Sequence, residues 1–272
     1  MVSQTVTIQL LGLPGAGKKR LKQALQVYIE RRTGDSEQKI DISVPEFSAL
    51  ASGTSIEGRY DLNWLVIDSR SFLESTDPQQ QKALAYLEQL LSHCDAVVWM
   101  FAESSELTVQ SQWRQWLRQW SSTQQTVLPS VQCFSQTFKF PHQGIEGLLQ
   151  CAPSSLRQPL PPLSTFHSFH FQLPKVSLEH LLFVLDSSRQ NLQMDVWRVK
   201  GCVITQEYVN PVAIEGTINR WDTYASELPE NAPEMGHLII EGLNLDRDLL
   251  QSLLQAAIAQ GESNSVRLVD KR

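Results

Sequence analysis

The residues with the clearest chemical potential are Gly12-Leu13-Pro14-Gly15-Ala16-Gly17-Lys18-Lys19, followed by Arg20. Glycines at this spacing let successive backbone N–H groups curl around an anion. Lys18 then stands where its ammonium reaches outer phosphates, and a helix starting there adds a favourable dipole. Gly12, Gly15, Ala16, Gly17, Lys18, Lys19 and Arg20 are therefore the candidate nucleotide-binding residues. The position after Lys18 ordinarily holds Ser or Thr, whose hydroxyl ligates magnesium. Here it holds Lys19, which has no lone pair to offer and repels a divalent cation. Phosphate binding is compatible with this loop; magnesium is doubtful.

A phosphate-binding loop of this kind is paired with an acid at the end of a buried strand. Asp68 follows the apolar run Trp64-Leu65-Val66-Ile67 and is the candidate catalytic residue. A polar residue where a strand leaves a sheet accounts for it equally well. The tetrapeptide Asn/Thr-Lys-x-Asp, which reads guanine, occurs nowhere; the expected strand ends in Val131-Gln132-Cys133-Phe134-Ser135-Gln136. His167 and His170 lie three apart on a strand-like run and so point to opposite faces, a poor geometry for a shared metal. Trp113, Trp116 and Trp120 fall on one helical face with Leu117, which reads first as packing on a sheet and second as a partner-binding stripe. Arg114 and Arg118 fit a solvated flank of the same helix. Arg198 and Lys200 share one face of a strand, where an anion, the first domain or plain solvent would suit them.

The elements that must hold these residues alternate. Strand runs at Val6–Leu11, Leu62–Ile67, Ala96–Phe101 and Thr126–Phe134 are interleaved with helical patterns at Lys18–Arg32, Pro78–Ser92 and Val109–Trp120. This predicts a parallel sheet covered on both faces. Residues 152–163 are proline-rich and suit a linker. Beyond them the spacing predicts a strand (Phe166–Leu173), a helix (Ser177–Arg189), a hairpin (Val196–Gln206 and Val212–Ile218), a short strand (His237–Glu241) and an amphipathic helix (Asp246–Gln260). The fold class is α/β: a P-loop NTPase-like parallel-sheet domain over 1–151, the linker over 152–163, and a smaller α+β domain over 164–272.

Composition limits the partners. With 272 residues, 42% hydrophobic, 19% charged and a net charge of −6, the chain is globular in character and has no basic patch beyond Lys18-Lys19-Arg20. No nucleic-acid partner is expected. No apolar run reaches membrane-spanning length and the first residues lack a leader pattern, so a cytoplasmic location is expected. Cys94, Cys133, Cys151 and Cys202 are dispersed, which argues against a disulfide framework and against a thiolate metal site.

The chain resembles the CobW-type GTPases, metal-handling P-loop proteins with a dedicated C-terminal domain. Gly12 to Lys18 is similar to their Walker A loop. Asp61-Leu62-Asn63-Trp64-Leu65-Val66-Ile67-Asp68-Ser69 is similar to their Walker B segment, with Asp68 where Glu is usual and Ser71 where Gly is usual. Trp197-Arg198-Val199-Lys200-Gly201 looks like their Arg-x-Lys-Gly strand, followed by the turn His237 to Asp246. The resemblance implies GTP or another nucleotide as ligand, a role in metal homeostasis and an unidentified client protein. It says nothing of oligomeric state. The family's Cys-x-Cys-Cys, its magnesium Ser/Thr and its guanine signature are all missing, which implies a degenerate member. Three readings stay open: a regulatory scaffold with weak or no GTP hydrolysis, an active P-loop NTPase acting as metallochaperone, and a pure interaction module.

Overall fold

The computed structural model describes residues 5–32, 39–47, 60–74, 76–133, 142–149, 163, 165–191, 194–226, 235–259 and 265–269. The chain divides into two compact units, Met1–Pro162 and Leu163–Arg272. The proline-rich segment at 152–162 and Cys151 lie outside the described residues.

The first unit is built on strands β1 (Thr5–Leu11), β2 (Lys39–Ser43), β3 (Leu62–Asp68), β4 (Ala96–Met100) and β5 (Ser130–Cys133), in the spatial order β2-β1-β3-β4-β5. All neighbours are parallel. The sequence dictates which strands are central. β3 is buried from Leu62 to Ile67 and β4 throughout, the continuous apolar runs expected of strands covered on both sides. One face carries Leu10, Trp64, Val66 and Val98 against Leu21, Ala24 and Leu25 of α1 (Lys18–Arg32) and Ile145 and Leu148 of α4 (His142–Leu149). The alternate residues, including Val97 and Trp99, turn to the other face. There α2 (Pro78–Leu91) buries Tyr86, Leu87, Leu90 and Leu91, and α3 (Leu107–Gln124) buries Trp113, Trp116 and Leu117.

Local chemistry explains where these helices begin. Asp77 caps α2 by accepting from the N–H groups of Gln79 (2.9 Å) and Gln80 (3.4 Å), with Pro78 in the first turn where no N–H is needed. Packing, rather than display to a partner, accounts for the tryptophan face. Trp113 stacks edge-on against Phe72 (4.8 Å) and Trp116 (5.3 Å), and the Trp116 indole donates to Glu88 at 3.2 Å. Trp120 is half-buried at the end of that stripe, while Arg114 and Arg118 are exposed.

The second unit is a six-stranded antiparallel sheet in the order β11-β6-β10-β7-β8-β9, formed by β6 (Phe166–Leu173), β7 (Asp195–Val203), β8 (Val212–Thr217), β9 (Arg220–Ala225), β10 (Gly236–Leu243) and β11 (Arg267–Leu268). The run read as a short late strand is in fact one of the two middle strands, β10 pairing with both β6 and β7. Phe171, Leu173, Val199, Ile214, Leu238 and Ile240 form the core face. It is covered by Leu181 and Leu185 of α5 (Leu178–Asn191) and Leu250 and Leu254 of α6 (Arg247–Ala256). Asp246 caps α6, accepting from the Leu249 N–H at 2.9 Å.

Candidate functional site

The strand order places a crevice at the carboxyl ends of β1 and β3. β1 connects outward to β2 on one side, and the chain returns on its other side as β3. In doubly wound sheets a ligand sits where the direction of winding reverses. Both candidate segments of the sequence converge there: the loop Gly12–Gly17 leaves β1, and Asp68 closes β3.

The loop has the backbone that phosphate cradling requires. Gly12, Gly15 and Gly17 have φ of 139°, 85° and 90°, conformations that L side chains rarely adopt. A Cβ on Gly12 would lie 2.3 Å from the Val66 carbonyl oxygen, so the loop base is wedged against β3. Ala16 is buried, and α1 begins at Lys18. Lys18 is only 9% exposed. Its ammonium folds back over the loop and donates to the carbonyls of Gly12 and, at 2.8 Å, Leu13. Lys19 and Arg20 are exposed at the helix start.

Asp68 is already engaged. Arg70 grips it with a bidentate fork: Nε donates to Oδ1 at 2.9 Å and Nη2 to Oδ2 at 2.6 Å, and the Arg70 backbone N–H donates to Oδ1 at 3.1 Å. Both side chains are largely enclosed, at 20% and 17% exposure. The guanidinium lies over the Phe101 ring, 3.7 Å from its centroid, and the Arg20 guanidinium approaches the same ring at 5.6 Å. Phe101 also reaches the loop: its Cε2 and Cζ atoms would stand 3.1 and 3.2 Å from a Cβ on Gly17. Phe101 adopts φ 60°, ψ 32°, a left-handed conformation that costs a bulky residue about 1–3 kcal/mol and tends to cluster at functional sites.

A magnesium ion does not fit this donor set. Its usual hydroxyl ligand is replaced by the ammonium of Lys19, and both oxygens of Asp68 receive hydrogen bonds from a cation. A nucleotide's phosphate tail does fit, since the loop offers backbone N–H groups, a buried lysine and two nearby arginines.

Arg70 and Phe101 were invisible to motif reading. Arg70 stands two residues beyond the acid, a spacing that carries no signature. Phe101 follows β4, whose parallel register sets Met100 beside Asp68. That register alone brings the residue after β4 to the site.

The remaining candidates lie elsewhere. Arg198 pairs with Glu241 at 3.2 Å and Lys200 with Glu215 at 3.9 Å, on the sheet face of the second unit opposite its core. Gly201 of the same strand has a packing reason: a Cβ there would meet the His237 carbonyl oxygen at 2.1 Å. His167 is exposed and stacks on Phe169, whereas His170 points to the other face of β6. No group of three or more His, Cys, Asp or Glu that could hold a metal ion occurs among the described residues. Cys94 and Cys133 are buried and Cys202 half-buried. Burial pushes the Cys133 thiol up to about 12, with the Glu103 carboxylate adding to the rise, so it stays protonated. No described helix is long and apolar enough to cross a membrane.

Residues 166–258 match the family model of the cobalamin synthesis protein cobW C-terminal domain. Among solved structures, the chain is similar to the Zn(II)-bound YjiA GTPase from E. coli, at 10% identity and a TM-score of 0.33, over 95% of this chain and 100% of that one. It is also similar to translation elongation factor SelB from Methanococcus maripaludis in complex with the GTP analogue GPPNHP, at 14% identity and a TM-score of 0.37, over 89% of this chain and 53% of that one. No curated protein matches the sequence.

Proposed function

Taking the chain as of the CobW type, through the C-terminal domain at residues 166–258, we propose that its first unit is a degenerate nucleotide-binding module with weak or no GTP hydrolysis. The observation that carries this reading is the contrast within one crevice. The loop from Gly12 to Lys18 keeps the three positive-φ glycines and the folded-back lysine that a phosphate tail needs. The acid that would organise magnesium and water is held by Arg70. Binding therefore outlives catalysis. Gly12, Gly15, Ala16, Gly17, Lys18, Lys19 and Arg20 hold the phosphates, and Asp68 acts as the anchor for Arg70 rather than as a ligand to the metal.

In this reading the protein serves metal homeostasis as a regulatory or scaffold partner of a client protein. The CobW C-terminal domain supports that placement. Guanine selectivity is weak, because no Asn/Thr-Lys-x-Asp segment is present to read the base. Titration of the purified protein with GTP and ATP, each with magnesium and with EDTA, tests the proposal. Binding without magnesium and without turnover is the expected result. GTP turnover at ordinary GTPase rates would overturn it in favour of an active NTPase, and no binding to either nucleotide would leave an interaction module.

A further inference from the structure

The disagreement between the donor set and magnesium points to what replaces the ion. We propose that Arg70 is a built-in cation that takes magnesium's place: its guanidinium meets the polyphosphate tail of a nucleotide seated on the Gly12–Lys18 loop. This rests on the phosphate-binding reading above and goes beyond it, by assigning a specific residue and a class of ligand, the polyphosphate chain itself.

Three independent observations carry the assignment. The first is position. Arg70 lies just past the end of β3, beside the loop that leaves β1, at the reversal point of the sheet. The second is support. A free arginine side chain loses considerable rotamer freedom when it is fixed on a ligand. Here Asp68 holds the guanidinium by two hydrogen bonds and Phe101 carries it on a ring face, so that cost is met before a ligand arrives. A planar guanidinium suits this task because its fixed fork of donors matches phosphate oxygens as well as it matches a carboxylate. The third is connection to the loop. The same Phe101 ring packs against Gly17, in a backbone conformation that costs energy, and is approached by Arg20. Phe101 thereby couples the arginine to the phosphate-binding loop.

Charge closes the argument. A divalent ion at this site would have to displace Arg70 from Asp68 and sit close to Lys19. A guanidinium suffers neither penalty. The charges of Asp68 and Arg70 offset each other, and a phosphate tail adds the anion that Arg70, Lys18 and Arg20 together can neutralise. No bond is made or broken in this role; Arg70 is a binding residue.

The test measures binding of GTP and of inorganic tripolyphosphate, in excess EDTA and in saturating magnesium, to the full chain and to Arg70→Ala and Arg70→Gln. Circular dichroism and thermal melting establish that each variant is folded, and Arg70→Gln keeps most of the stem and an uncharged amide donor group should Arg70→Ala fail to fold. The unmodified chain is expected to bind both ligands in EDTA, and no more tightly in saturating magnesium. Each variant is expected to lose about tenfold or more in EDTA, the loss typical of one charge-assisted contact. In the Arg70→Ala,Lys19→Thr double variant magnesium should recover part of that loss, because Asp68 is released and a hydroxyl stands beside it. Binding by the unmodified chain that Arg70→Ala and Arg70→Gln leave unchanged in EDTA overturns the role of Arg70 alone. Binding that requires magnesium overturns it as well. No binding of either ligand to the unmodified chain overturns the phosphate-binding reading, and this inference with it.

Discussion

Each unit holds a half-enclosed arginine–carboxylate pair, and the two pairs do different things. Arg198 and Glu241 face each other across β7 and β10, at 30% and 15% exposure, with the Ser168 hydroxyl donating to the same carboxylate at 3.3 Å. Lys200–Glu215 continues the pattern on the neighbouring strands. These are cross-strand pairs on a regular antiparallel sheet, where the backbone is unstrained and opposite charges add modest stability. Arg70 and Asp68 have similar exposure but stand at the ends of parallel strands, beside positive-φ glycines and a left-handed phenylalanine. Chemically the pairs are nearly the same. What separates them is the surrounding geometry: one completes a surface, the other occupies a crevice where a ligand's charge would otherwise be balanced by a metal.

That contrast can be broken most severely at its base. Gly12→Ala should destabilise the first unit by about 2–4 kcal/mol, combining the strain of its positive φ with a methyl group driven into the Val66 carbonyl. Urea unfolding followed by tryptophan fluorescence measures this; a midpoint unchanged from the parent would show that the loop is not wedged against β3. Lys18→Ala should leave the fold intact yet weaken nucleotide binding about a hundredfold, whereas Lys200→Ala should leave binding unchanged. Equal losses from the two lysines would erase the distinction between crevice and surface.

Smaller effects sharpen the comparison from the other side. Arg198→Ala should cost about 0.5–1 kcal/mol of stability, discounted for its contact with solvent, and should not alter nucleotide affinity. A change in affinity would mean that the second unit's pair takes part in ligand binding. The weakest effect concerns Glu207. Its slight burial raises the carboxyl, but hydrogen bonds from the Leu178 N–H and the Ser177 hydroxyl outweigh that and hold it below the ordinary carboxylate value. A lowered value in the folded state means stability that is present above the unfolded carboxyl's value and lost as pH falls through the folded one. The stability difference between the parent and Glu207→Gln should therefore shrink in acid; a difference independent of pH would refute the assignment.

How much of this was legible beforehand follows the same division between core and edge. β1, β3 and β4 announce themselves as apolar runs, β6 as aromatic residues interleaved with polar ones, and α1 begins and ends where its spacing predicts. β2, β9, β11 and α4 were missed. β2 reads Lys-Ile-Asp-Ile-Ser and β9 Arg-Trp-Asp-Thr-Tyr-Ala; both are edge strands, paired on one side only and too polar to stand out. The glycines and Lys18 were legible because backbone cradling demands those residue types in order. The Arg70 fork and the Phe101 stack were not, because they depend on a turn beyond β3 and on the register of β4, which are tertiary facts. The tryptophan stripe was legible as a helical face, and the sheet beneath it decided between packing and partner.

The position of β10 has a consequence for synthesis of the chain. Among the described residues β6 pairs with β10 and β11, and β10 arrives some sixty residues later in the sequence. As the polypeptide leaves the ribosome, β7, β8 and β9 can form a meander from consecutive segments while β6 waits with both of its edges unmatched. Long-range pairing of this sort closes slowly and exposes strand edges meanwhile. A nascent chain stalled before Gly236 would thus hold an open, adhesive β6, and emergence of eight further residues, Gly236–Leu243, would join the two halves of the second sheet.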